Sequence, residues 1–261
     1  MGSIKKFILV NIFSLSFVFT MNDSHVAVNI LEQDKNHVII EYIVEDFDIS
    51  EIAVKNEIYH DIDLIDEPDF LNKYAPKLPH INRSLIIPDL SSMSVTVLQS
   101  SFDVHRDINV LPSKGNPRRN VDINKIPYIK GPVYGLNSDF PGNLVDIDDP
   151  YILRDYRAQV LQINPFQYNP VEKELKVYNH LIVEVRFDGT NSINSVSDSQ
   201  RNSKKLVKDY HYLYSDRFIN YSSYETRYNP IEEDGEMLII CYDDFCDEMN
   251  DFVNWKNQKG I

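Results

Sequence analysis

The chain has 261 residues, 43% of them hydrophobic and 25% charged, enough apolar material for one large core or a core plus a fragment. Its net charge of −14 argues against nucleic acid as a partner, because phosphate binding needs a concentrated basic face. With only 8 glycines it is neither collagen-like nor a glycine linker, while 16 tyrosines and 13 phenylalanines favour strands.

In chain order, Lys5 and Lys6 precede an apolar run from Phe7 to Phe19, and Asn22 and Asp23 restore polarity. The run is short for a membrane span and fits a signal peptide over residues 1–22, cut somewhere near Thr20 to Ser24; an uncleaved anchor is the alternative. The expected location is therefore secreted or at the cell surface, with no membrane contact beyond that segment.

Alternating, β-branched runs follow at His25 to Leu31 and His37 to Val44, joined by the polar Gln33-Asp-Lys-Asn36 turn. Ile52 to Leu64 reads as a third extended segment. Pro68 to Pro79 is broken by proline, and strands resume at Ser84 to Pro88 and Met93 to Ser100. The prolines and glycines from Pro112 to Pro150 predict a long ordered loop, a usual place for recognition. Tyr156 to Pro165 and Glu174 to Phe187 alternate polar and apolar residues around an Asn169 to Lys173 turn. The sum is a mainly β fold, an antiparallel β-sandwich over residues 23–189.

Residues 190–235 read as a linker, rich in Ser and Asn, that carries one docking helix with Tyr210, Leu213, Tyr214 and Phe218 at helical spacing. Glu236 to Tyr242 predicts a fully apolar strand, and Asp243-Asp244 an N-cap before a helix bearing Phe245, Met249, Phe252 and Val253. A buried strand feeding a helix is half of a βαβ unit and needs parallel neighbours, so residues 236–261 are expected to be the start of an α/β domain cut short.

Several segments resemble the propeptides of gingipain-like cysteine peptidases: Pro76-Lys-Leu-Pro79, Arg83-Ser-Leu-Ile-Ile-Pro-Asp89, Ser113-Lys-Gly-Asn-Pro-Arg-Arg-Asn120, Pro132-Val-Tyr134 and Phe140-Pro-Gly142. Arg157 to Tyr178, with Pro165-Phe-Gln-Tyr-Asn-Pro170 and Glu174-Leu-Lys-Val-Tyr178, carries the most specific part. Glu236 to Asp244 and Phe252 to Ile261 look like the opening strand and helix of the family's caspase-like catalytic domain. The resemblance spans most of residues 68–261; residues 25–67 are merely compatible with it.

It implies a secreted zymogen whose sandwich prodomain assists folding and blocks the active site until proteolysis removes it. The implied partners are the chain's own downstream catalytic domain and an activating peptidase, with no cofactor. The Cys–His dyad of the family has no counterpart here, so the chain is expected not to be an enzyme, although its parent is a cysteine-type endopeptidase. The rival readings are a non-catalytic secreted binding or surface module, and the N-terminal region of a surface processing peptidase of the same superfamily.

No residue is expected to be catalytic. Cys241 and Cys246 read as packed or idle thiols, because Asp243, Asp244, Asp247 and Glu248 around Cys246 oppose thiolate, and none of the seven histidines precedes a glycine. The clusters Asp61, Asp63, Asp66, Asp69 and Asp146, Asp148, Asp149 lack the calcium-loop glycine and read as solvated turn charge, so no metal is expected. HExxH, CxxC, Walker and GxGxxG patterns are absent.

The informative candidate is the basic loop of Lys114, Arg118 and Arg119. The resemblance implies a peptidase that cleaves after Arg or Lys, and a basic side chain from this loop would enter its pocket like substrate. Pairing with the protein's own acidic surface is the alternative, and so is use of the paired basics as a processing site. Arg201, Lys204-Lys205 and Arg227 are further processing candidates.

Overall fold

The computed structural model describes residues 25–195, 205–224, 229–231 and 237–259. The segment expected to direct export lies outside them.

The strands are β1 (Val26–Gln33), β2 (His37–Val44), β3 (Asp48–Val54), β4 (Glu57–Asp63), β5 (Ile81–Ile86), β6 (Ser94–His105), β7 (Val145–Ile147), β8 (Tyr151–Leu153), β9 (Tyr156–Ile163), β10 (Phe166–Asn169), β11 (Glu174–Arg186) and β12 (Lys205–Val207). Helix α1 (Lys208–Arg217), β13 (Asn229–Ile231), α2 (Asp243–Cys246) and α3 (Asn250–Gln258) follow. The fold is mainly antiparallel β, as expected.

One sheet runs β1-β2-β11-β10, with β6 on the other edge of β11; the second runs β5-β9-β7, with β8 also on β9. Asn164 and Pro165 carry the chain from the second sheet to the first, which locks the two layers together. Between them lie Val38, Ile40 and Tyr42 from β2, Leu175, Val177, Leu181, Val183 and Val185 from β11, and Ile81, Leu85, Leu161 and Ile163 from the facing sheet. Strand β2 alternates half-buried and buried residues along its whole length, the pattern its sequence predicts for one covered face.

Four expectations need correction. Ile52 to Leu64 is not one extended segment but the end of β3, a tight reversal at Lys55-Asn56 and β4, with Val54 paired to Glu57. Lys55 supplies the left-handed φ of 55° that the turn requires, without the glycine that would have marked it. Strand β9, expected from its alternation, is present and is covered on both faces: Arg157 and Gln159 are buried along with Tyr156 and Ala158.

Second, residues 237–242 form no strand, and Leu238 and Ile240 are 85% and 87% exposed. Backbone pairing is a property of two segments, and no neighbour among the described residues offers the second edge. Third, helix α2 has Tyr242 rather than an aspartate at its N-cap, with Asp243 and Asp244 in the first turn. There they complement the positive end of the helix dipole. Fourth, Cys241 and Cys246 are joined in a disulfide, because the turn of α2 folds Cys246 back to within 5.5 Å of Cys241 between Cα atoms.

Helix α1 covers the outer face of the second sheet. Tyr214, Phe218 and Tyr221 pack on Ile86, Tyr156 and Ala158 in a separate apolar cluster. The helix expected in the linker is thus an integral part of the fold.

His80 supplies a test of the core. It stacks on Phe70 at 4.6 Å between ring centroids, and its Nδ1 is buried with no hydrogen-bond partner among the described residues. Burial holds its pKa below the ordinary histidine range, against the opposing charge of Asp148. The folded protein therefore takes up the His80 proton less readily than the unfolded chain. Stability from this site is complete above about pH 6.5, the unperturbed histidine value, and declines as pH falls toward the lower folded value. The urea midpoint of the wild type should drop more between pH 7.5 and 5.5 than that of His80→Phe, which keeps the stacking and loses the titration.

Candidate functional site

The connection from β6 to β7 carries the basic loop, and its base is tied to the segment around Tyr74. The Lys77 amide donates to the Leu111 carbonyl at 2.8 Å, and the Ser113 amide to Ala75 at 2.8 Å. Tyr74 then binds both legs at once: its amide donates to the Ser113 carbonyl at 2.9 Å, and its carbonyl accepts from the Gly131 amide at 2.9 Å. The backbone of one residue thus closes the neck of the loop.

Two glycines make that approach possible. A Cβ on Gly131 would lie 2.9 Å from the Cβ and carbonyl oxygen of Tyr74. A Cβ on Gly115, whose φ is +76°, would lie 2.9 Å from the Cβ of Lys73. On the return leg, Tyr134 donates its hydroxyl to the Val110 carbonyl at 2.9 Å, and Lys130 reaches Glu57 at 3.1 Å.

At the tip, the Val121 amide donates to the Arg118 carbonyl at 2.9 Å, which closes a β-turn with Arg119 and Asn120 at its centre. Asp122 accepts from the Asn124 amide at 3.0 Å and caps the short 3-10 turn Ile123–Lys125. Arg118 and Arg119 are exposed, and neither guanidinium has an ion pair or hydrogen bond among the described residues. Lys114 is placed differently. Its ammonium donates to the Ile123 carbonyl at 3.0 Å and sits 4.1 Å from the centroid of the Tyr128 ring, inside the loop.

Of the processing candidates, Lys205 opens β12, which pairs in parallel with β13. Arg201, Lys204 and Arg227 lie outside the described residues.

The first acidic cluster is only partly solvated. Asp61 and Asp69 close on Lys77 at 2.7 and 3.2 Å, while Asp63 and Asp66 remain exposed. Burial raises the Asp69 carboxyl above its ordinary range despite Lys77. In the second cluster Asp146 accepts from Asn143 and Asn164 at 3.0 and 2.8 Å, whereas Asp148 and Asp149 are exposed. Among the described residues no three His, Cys, Asp or Glu side chains converge on a point where they could hold a metal ion.

Two residues that hold the exit from the sandwich escaped sequence reasoning. Arg157, fully buried, directs all five of its N–H donors at main-chain carbonyls: Pro88 and Ser91 at 3.1 and 2.7 Å, Asn191 at 3.1 Å, and Ile193 twice, at 3.2 and 3.0 Å. Its one legible signal is parity, for it shares the strand face of Leu161 and Ile163. Asn220, also fully buried, accepts from the Ile86 amide at 2.8 Å and donates to the Ile86 carbonyl at 2.9 Å. No local pattern marks it.

The Propeptide_C25 family model matches residues 20–226 of the chain. Gingipain R1 of Porphyromonas gingivalis is 39% identical over 191 residues, which are 72% of this chain and 19% of that protein. Gingipain R2 of the same organism (strain ATCC BAA-308 / W83) is 36% identical over 196 residues, 72% of this chain and 25% of that protein. The chain thus spans a quarter or less of these curated relatives. Among solved structures, the complex of Porphyromonas gingivalis RgpB pro- and mature domains superimposes with a TM-score of 0.66 at 28% identity, covering 74% of this chain and 97% of that one. A structure addressing the zymogenic latency of gingipain K from Porphyromonas gingivalis matches with a TM-score of 0.53 at 18% identity, over 63% of this chain and 99% of that one, and supports the fold alone.

Proposed function

Because the chain belongs to the Propeptide_C25 family, we propose that it is the inhibitory and folding-assisting prodomain of a secreted or cell-surface gingipain-like cysteine endopeptidase. Its partner is the catalytic domain of the same polypeptide, and an activating peptidase ends the association. The relative solved as a complex of pro- and mature domains supports this arrangement by analogy.

The observation that carries the reading is the Arg118–Arg119 turn, two guanidinium groups that have no partner among the described residues, at the tip of a pinned loop on a protein of net charge −14. In so acidic a molecule, arginines free of their own carboxylates are available to someone else's. A planar guanidinium matches a pocket carboxylate with two parallel hydrogen bonds, and such a desolvated anchor dominates an interface. The surrounding sandwich face supplies the remaining buried area.

The test is inhibition of mature gingipain R2 by the full chain. Micromolar chain should slow the peptidase, and the double substitution Arg118→Ala/Arg119→Ala should weaken inhibition about 100-fold, the loss of one buried anchor of about 2.7 kcal/mol. Absence of inhibition at that concentration removes the inhibitory half of the proposal. An unchanged refolding yield of a denatured catalytic domain with the chain present removes the folding half.

A further inference from the structure

We infer that Lys114 is the positioning residue of the basic turn, a clamp across the loop that offers Arg118 and Arg119 in one conformation. The inference rests on the inhibitory role proposed above and adds what makes the loop an inhibitor rather than a good substrate.

The loop between the Ser113 and Gly131 legs is closed at its neck by the amide and the carbonyl of Tyr74. Beyond that neck it has little apolar core of its own: Val121 is 45% exposed, Ile123 50% and Ile129 46%. Hydrophobic burial therefore does not hold the two legs together at the tip. Lys114 does so by polar means. From the outgoing leg its ammonium bonds the carbonyl of Ile123 at 3.0 Å and covers the face of Tyr128 at 4.1 Å, both on the returning leg. That carbonyl also accepts from the Ile126 amide at 3.2 Å within the 3-10 turn that directly follows the arginine turn. The clamp thus grips the element whose position sets the direction of the arginines.

The energetic logic is preorganisation. A flexible loop must lose its freedom on binding, and it also adapts readily to the geometry a peptidase needs for cleavage. A loop already ordered loses less on binding and adapts less. An ordered lysine side chain forfeits rotamer entropy, so its fixed placement here is set by the charge-assisted bond and the ring together.

The experiment compares the full chain with Lys114→Met, Lys114→Arg and Arg118→Ala/Arg119→Ala, using mature gingipain R2 as the probe. Inhibition constants, the rate of cleavage at the arginine turn by mass spectrometry, and Tm are measured for each. Methionine keeps the aliphatic stem and removes the charge. It should weaken inhibition about tenfold and speed cleavage at the turn by a similar factor, with Tm unchanged. Arginine, which keeps the charge and the ring contact, should restore both. The clamp is refuted if Lys114→Met matches the wild type while the double arginine variant loses inhibition, or if Lys114→Arg fails to rescue. If the double arginine variant inhibits like the wild type, the inhibitory turn and its clamp fall together.

Discussion

Substitution of Arg157 by methionine is expected to lower the unfolding free energy by about 4 kcal/mol, the cost of leaving several buried carbonyls without donors. The side chain is 0% exposed, and its guanidinium serves the carbonyls of Pro88, Ser91, Asn191 and Ile193. Methionine fills much of the same volume but donates nothing, so the loss is chiefly hydrogen bonding rather than a cavity. Burial pulls the Arg157 pKa down, and the nearby Asp89 charge opposes that shift. Lysine is a poor substitute, since three donors on one atom cannot span carbonyls arranged around a planar fork. Urea unfolding of the full chain measures the effect. A midpoint for Arg157→Met within experimental scatter of the wild type would show that these carbonyls find other partners.

The consequence extends beyond stability. Two of the four carbonyls belong to residues 191 and 193, the start of the segment leaving the sandwich, and two to residues 88 and 91 in the connection that follows β5. Arg157 thus fastens the exit of the chain to the body, and its loss should make the segment after Asp188 the first to be cut in limited proteolysis.

Asn220→Leu is the second substitution with a large expected effect, a loss of about 3 kcal/mol concentrated in residues 208–224. The Asn220 amide pairs with both main-chain groups of Ile86, as an adjacent strand would, and so satisfies the last residue of β5. The Ile219 amide continues the contact, donating to the Ser84 carbonyl at 3.1 Å. Leucine leaves a buried N–H and a buried C=O unpaired, and a folded chain avoids that by letting the segment come away. Tyr214, Phe218 and Tyr221, now at most 3% exposed, would then meet water. Hydrogen exchange reads this directly: amides of α1 should lose protection in Asn220→Leu while those of β2 and β11 keep theirs. Equal protection in both regions would refute the local character of the clamp.

This second clamp also bears on activation. The α1 segment packs on the sandwich through side chains and main chain, so a cut before Lys205 alone would leave it bound without a covalent link. Release under the proposed function is therefore expected to require either a cut beyond Tyr224 or loss of the Ile86 contact.

The amino-acid sequence by itself determined the mainly β character, the first hairpin, the long β6–β7 loop and the aromatic face of α1. Each of these depends on neighbours in the chain. Period-two alternation over His37 to Val44, proline density after Pro112 and helical spacing of Tyr210, Tyr214 and Phe218 all act within a few residues. The basic tip was legible for the same reason, since charge is a property of the residue.

What only the tertiary structure decided was the fate of particular side chains. Lys114 and Arg118 read alike in sequence, yet one closes the loop and the other faces solvent, because Ile123 and Tyr128 return to meet only the first. Arg157 reads only as one polar residue of an alternating strand, and it is residues 88–91 and 191–193, arriving from far along the chain, that surround it. The apolar run at 237–242 shows the reverse, strong strand propensity without a strand, since a ladder needs a second edge that local sequence cannot supply. Propensity is local, whereas satisfaction of buried polar groups is settled by whichever distant backbone comes within reach.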